Sequence, residues 1–175
     1  MGERKGLITF KGSPLTLVGT ELRVGDDAPD FLAVANDMSE VRFSSLRAGG
    51  GVFVLSSVPS LDTSVCSTET HTFNKKASDF GPEVTLLTVS MDLPFAQARW
   101  CGAMGVDRVK TLSDYRYTSF GAGWGVLIKE WRLLARCIFV VDRKGKIRYI
   151  QLVKEIATEP DYAAVLDAVK KLRAE

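Results

Sequence analysis

Cys66 stands at the end of the run Pro59-Ser60-Leu61-Asp62-Thr63-Ser64-Val65-Cys66, directly after the apolar stretch Val52-Phe53-Val54-Leu55 and before a segment of helical character. A strand that delivers a cysteine onto the first turn of a helix sets its sulfur among unpaired N–H groups and a partial positive charge, which favour thiolate over thiol. Thr63, three residues earlier, offers a hydroxyl to the same small site. Asp62 or Thr63 is suited to cap the helix. Asp62 is also an anion that works against a thiolate, so the site needs a cation. Arg136 is one candidate, since a guanidinium beside the apolar run Cys137 to Val141 is costly to bury unless paired; a surface position at a strand end is the alternative.

Thr63 occupies the place where dithiol oxidoreductases of the Cys-x-x-Cys type carry their second cysteine. The next thiol, Cys101, lies 35 residues on, in Ala98-Arg99-Trp100-Cys101-Gly102. Paired with Cys66 it is a plausible resolving thiol, able to attack an oxidised Cys66 and close a disulfide. That bond needs Cα atoms within ~7 Å, which two separate helices seldom offer, so local unwinding of both segments is expected during turnover. Cys137 opens a strongly apolar strand and reads as a core residue without chemistry. His71 falls five residues past Cys66, on a different helical face, which disfavours a Cys–His hydrolase. Cysteine and histidine spacings do not suit zinc, and Gly49-Gly50-Gly51 lacks the Gly-Lys-Ser/Thr of a phosphate loop.

The elements that must position these residues follow from apolar periodicity and turn residues. Leu7 to Val18 predicts an N-terminal hairpin around Gly12-Ser13-Pro14, within an extension over residues 1–20. Short strands are expected at Phe31 to Val34 and Val41 to Phe43, and a buried strand at Gly51 to Ser56. A helix from Ser64 to Phe80, ended by Gly81-Pro82, leads to a strand at Glu83 to Val89 and a second helix from Pro94 to Met104. A strand at Val109 to Leu112 and a Gly-rich aromatic connection from Phe120 to Trp124 come next. Strands at Cys137 to Val141 and Ile147 to Val153 turn at Arg143-Lys144-Gly145, and an amphipathic helix from Asp161 to Arg173 closes the chain. This order predicts an α/β, thioredoxin-like fold, a βαβ half followed by a ββα half, with an N-terminal hairpin and a central insertion.

The 175 residues suit a single domain, residues 1–175. An apolar fraction of 46%, a charged fraction of 25% and a net charge of +2 are those of an ordinary globular protein and give no reason to expect a nucleic-acid partner. Lys75-Lys76 and Lys170-Lys171-Leu172-Arg173 read as solvated helix faces. No stretch approaches the ~18 to 20 apolar residues of a membrane span, and the N-terminus carries no signal-peptide pattern, so a cytoplasmic location is expected. Three cysteines suit a reducing compartment in which a disulfide is transient.

Over nearly its whole length the chain resembles the thiol peroxidase subfamily of the peroxiredoxins. The residues that carry the likeness are Pro14 to Gly19, Val24 to Phe31, Val58 to Cys66, Asp92 to Gln97 with Arg99 and Cys101, Leu134-Ala135-Arg136, and Glu155-Ile156 to Tyr162. The resemblance implies a peroxidatic Cys66, a resolving Cys101, a peroxide-binding Thr63, and an Arg136 that stabilises thiolate and substrate oxygens. It implies that Pro59 shields the site and that a Cys66–Cys101 disulfide forms within one chain and is reduced by thioredoxin. It further implies hydrogen peroxide and organic hydroperoxides as substrates, a homodimer, and no metal, haem or flavin cofactor. The chain departs from the family pattern at Ser64, where proline is common, and at Trp124 and Cys137, where tyrosine and alanine are more typical. Two other readings are a thiol–disulfide oxidoreductase on the same scaffold, disfavoured by the missing Cys-x-x-Cys, and a non-catalytic thioredoxin-like interaction module, disfavoured by Asp62, Thr63 and Arg136 occurring together.

Overall fold

Alternation along the central strands sorts the core into two layers. In a computed structural model that describes residues 2–174, β5 (Val52–Ser57) sends Phe53 and Leu55 to one face and Val52 and Val54 to the other. β6 (Val84–Ser90) and β9 (Cys137–Val141) alternate in step, with Leu87, Val89, Cys137 and Phe139 on the first face and Leu86, Ile138 and Val140 on the second. β5 and β6 run parallel, as do β6 and β7 (Val109–Ser113), whereas β9 pairs antiparallel with β5 and with β10 (Ile147–Leu152). β3 (Leu32–Val34) and β4 (Glu40–Arg42) extend the far edge, giving a seven-stranded sheet ordered β10-β9-β5-β6-β7-β3-β4. The parallel strands β5 and β6 with the helix between them, and the antiparallel β9–β10 pair with the helix after it, are the thioredoxin-like halves expected from the sequence.

The second face is covered by α2 (Ser64–Lys75), α3 (Ala77–Phe80), α4 (Pro94–Met104) and α6 (Tyr162–Ala174) through Cys66, Phe73, Phe80, Trp100, Val165, Val169 and Leu172. The first face is covered by α1 (Phe43–Arg47), α5 (Ser119–Gly123) and a three-stranded sheet of β1 (Glu3–Phe10), β2 (Ser13–Val18) and β8 (Leu127–Ile128). Phe31, Phe43, Phe120 and Phe139 pack around Trp124 with ring centroids 4.9 to 6.2 Å from it, so the larger aromatic is absorbed in the core. Gly19 (φ +116°) and Gly125 (φ +67°) let the backbone close there, since a Cβ would stand 2.1 Å from the Ala122 carbonyl oxygen and 2.0 Å from that of Thr20.

Several local expectations are corrected. The single helix over Ser64 to Phe80 is two, broken at Lys76, whose N–H still bonds Thr72 while its backbone (φ −84°, ψ 2°) leaves the helical region. The N-terminal turn falls at Lys11-Gly12, and Pro14 lies within β2, paired with Thr9. Phe43 begins α1 rather than ending a strand, and the connection over Phe120 to Trp124 contains most of α5. At α6 the expected start holds: the Asp161 carboxylate accepts from the Ala164 N–H at 3.0 Å.

Candidate active site

Cys66 lies in the first turn of α2 with no solvent-exposed surface. β5 ends at Ser57, the buried Val58 and Pro59 follow, and the chain turns through Ser60 to Thr63 into the helix. Thr63 takes the N-cap position, yet neither its hydroxyl nor Asp62 caps the helix. The Thr63 hydroxyl instead lies 2.7 Å from Cys66 Sγ and 2.8 Å from the Ser60 carbonyl oxygen, so the exposed threonine spends its cap on the sulfur. Asp62 is exposed and pairs with Arg99 of α4 at 3.3 Å, which turns its charge away from the thiol.

Arg136, just before β9, is 1% exposed and supplies the required cation: its Nη2 donates to Cys66 Sγ at 3.4 Å. Nε and Nη2 also donate to the Ile156 carbonyl at 3.1 and 3.0 Å, and Nη1 donates to Glu69. Glu69, on α2 and wholly buried, accepts from the Ser56 hydroxyl at 2.5 Å. Burial pushes the Glu69 carboxyl up, while Arg136 and the Ser56 hydroxyl pull the other way. Burial likewise opposes the Arg136 charge, and Glu69 together with Cys66 more than restores it, so the guanidinium is held firmly protonated. The Ile156 carbonyl is itself anchored. Next to it, the Glu155 carboxylate accepts from the Thr9 hydroxyl at 2.8 Å and from Lys11 and Gly12 N–H groups of the hairpin. The Thr9 hydroxyl and these backbone donors hold Glu155 down to about 2.

Asp92, in the loop before α4, holds the other side. Its carboxylate accepts from the Ser60 hydroxyl (2.6 Å), the Leu61 N–H (2.8 Å) and the Ser90 hydroxyl (2.7 Å), tying the loop before Cys66 to the end of β6. Trp100 Nε1 donates to Ser67 Oγ at 3.2 Å, joining the residues next to Cys101 and Cys66 across the two helices. Cys101 is half-buried near the end of α4, where Gly105 adopts a left-handed conformation (φ +61°) and its N–H returns to the Cys101 carbonyl. Both thiols are free, and Cys101 Sγ has partners of its own in Thr111 and Asn36.

The structure thus gathers Cys66, Thr63 and Arg136 at one sulfur, buries Pro59 on the loop that leads to it, and sets Cys101 on the neighbouring helix. Cys137 is 1% exposed on the opposite face of β9, and burial pushes its thiol far above the ordinary range. His71 forms no hydrogen bond with Cys66 among the described residues. Sequence reasoning missed Glu69, Asp92 and the Ile156 carbonyl. Glu69 follows Cys66 by three residues on one helical face, a usable signal; Asp92 offered none beyond its place in Asp92-Leu93-Pro94.

Over residues 23–166 the sequence matches the Redoxin family. A thiol peroxidase of Bacillus subtilis is 50% identical over 165 residues, covering 94% of this chain and 97% of that protein. One from Oceanobacillus iheyensis is 52% identical over 164 residues, covering 94% and 98%. A peroxiredoxin-like protein from Aquifex aeolicus superposes with a TM-score of 0.87 at 43% identity over 97% of each chain. A thiol peroxidase from Chromobacterium violaceum, at 19% identity and a TM-score of 0.85, shares the fold. A match over most of the chain, with half the residues identical to such relatives, places this chain in the Redoxin family, among the thiol peroxidases.

Proposed function

We propose that the protein reduces hydrogen peroxide and organic hydroperoxides at Cys66, and the observation that carries this is the convergence of the Thr63 hydroxyl and the Arg136 guanidinium on one buried sulfur. The Cys66 thiolate attacks the terminal oxygen of R–O–O–H. A sulfur–oxygen bond forms, the O–O bond breaks, and the departing alkoxide or hydroxide takes a proton, leaving a sulfenic acid. Thr63 and Arg136 are placed to meet charge as it builds on those oxygens, the form of stabilisation worth most in a site closed to water. Cys101 then attacks the sulfenic sulfur, water leaves, and a Cys66–Cys101 disulfide results. A dithiol protein of the thioredoxin type returns both thiols. Pro59 keeps water from the sulfur side of the loop. The chain acts as one domain, pairs as a homodimer and works in the cytoplasm; no helix among the described residues is long and apolar enough to cross a membrane.

Stopped-flow mixing with hydrogen peroxide and cumene hydroperoxide tests the reading. Wild type is expected to react orders of magnitude faster than free cysteine and to lose two hydrogens in intact mass after one equivalent of peroxide, and Cys66→Ser to lose both responses. A wild-type rate no faster than free cysteine overturns the peroxidase assignment. Mass loss that persists in Cys101→Ser overturns the resolving role alone.

A further inference from the structure

The side chain of Cys101 meets two polar groups that the peroxidase chemistry leaves unused. Cys101 Sγ lies 3.4 Å from Thr111 Oγ1 on β7, the Thr111 hydroxyl donates to Asn36 Oδ1 at 3.1 Å, and Asn36 Nδ2 reaches back to Cys101 Sγ at 4.0 Å. Thr111 owns one hydroxyl proton and gives it to Asn36, so toward Cys101 it can only accept. The sulfur must therefore donate: the thiol gives to threonine, threonine to amide oxygen, amide nitrogen to sulfur, a closed ring running in one direction. Thr111 is 4% exposed, on a strand flanked by β6 and β3, so the ring is fixed from the sheet side. Beside it opens a cavity of about 410 Å³ lined by Asn36, Cys101, Val106, Val109 and Thr111. Close packing does not hold the cysteine on that side; the hydrogen bonds do.

We propose that Thr111 and Asn36 are positioning residues for the resolving thiol, holding reduced Cys101 docked in the last turns of α4 and setting how quickly it is released to an oxidised Cys66. The inference rests on the resolving role assigned above. In the docked state the ring uses the sulfur as a donor, which ties the side chain to β7 and away from Cys66. When the end of α4 unwinds, the ring opens and the cysteine exchanges a fixed acceptor for solvent. Its attack then closes the disulfide, Cys66–S–OH + HS–Cys101 → Cys66–S–S–Cys101 + H₂O, and the thiol proton, no longer hydrogen-bonded to Thr111, leaves in the water.

Thr111→Val keeps the side-chain shape and removes both of its hydrogen bonds, whereas Thr111→Ser keeps them. After one equivalent of hydrogen peroxide, rapid quenching and mass spectrometry read disulfide formation. Iodoacetamide labelling of Cys101 in a Cys66→Ser background reads release without peroxide. Thr111→Val is expected to accelerate both by about three- to tenfold, the factor that one net hydrogen bond is worth, and Thr111→Ser to stay near wild type. Asn36→Ala opens the ring from its other side and is expected to accelerate both in the same direction. Rates in Thr111→Val and Asn36→Ala that equal or fall below wild type overturn the proposal. A Cys101→Ser control that still loses two hydrogens marks failure of the resolving role rather than of the ring.

Discussion

Arg136 sets the character of the site because one guanidinium serves the sulfur, a buried carboxylate and a main-chain carbonyl at once. Its planar fork suits this division of donors in a way that the single ammonium of lysine does not. Glu69 is what makes so deep a cation tolerable, and removing it strands a charge with 1% exposure. Glu69→Ala is expected to cost about 3–5 kcal/mol in urea unfolding and to slow the reaction with peroxide, as Arg136 swings away from Cys66. Glu69→Gln, which keeps an acceptor for Arg136, is expected to lose less than half as much. Cys66, Thr63 and Arg136 were legible in the sequence because their types are unusual for their positions, a thiol and a hydroxyl at a helix start and a guanidinium entering an apolar strand. Glu69 shared a helical face with Cys66 but was not singled out, because a glutamate in mid-helix is ordinarily solvated, and the tertiary contact with Arg136 reverses that expectation.

The elements around the two cysteines are joined by a few side chains rather than by broad packing. Asp92 pins the loop before α2, Trp100 bridges α2 to α4, and Glu155 ties the N-terminal hairpin to the segment behind Arg136. Ser64 begins α2 at a position where proline fits, since Thr63 already has the extended backbone (φ −94°, ψ 145°) that proline imposes on its predecessor. Ser64→Pro is expected to stabilise the protein by about 0.4–1 kcal/mol, raising Tm in calorimetry by about 1–4 °C. The central strands emerged as continuous apolar runs because both their faces lie in core layers, and the long helices from periodicity because each has one face in such a layer. The break at Lys76, the short α5 and the two-residue β8 did not, because such elements are fixed by tertiary contacts, as α5 is by Asp114. The Thr63 cap was misread for a related reason: a hydroxyl at an N-cap has a second possible partner once a sulfur is folded against it.

At the scale of the molecule, two layers meet across one sheet, and the layer opposite Cys66 and Cys101 depends on a buried acid. Asp114, at the end of β7, accepts from the Phe120 and Gly121 N–H groups at 3.1 and 2.8 Å and anchors α5. Burial outweighs those donors and raises its carboxyl from 3.8 to about 6. A carboxyl with a higher folded than unfolded value binds its proton more tightly in the folded protein. The stability it contributes is full below pH 3.8 and lost as pH rises through about 6. Unfolding free energies measured from pH 3.5 to 7 are expected to show wild type losing about 3 kcal/mol relative to Asp114→Asn, the equivalent of a shift of some two pH units. The complete burial of the Cys66 sulfur has a consequence for the order of events. A molecule the size of a peroxide needs only a small shift beside Thr63 to meet that sulfur, whereas a protein reductant needs the loop itself to open. In the cycle proposed above, oxidant therefore comes to a nearly intact fold, and reductant waits until disulfide formation has opened the loop and the helix end. Size and timing together keep the two reagents from meeting at the same atom.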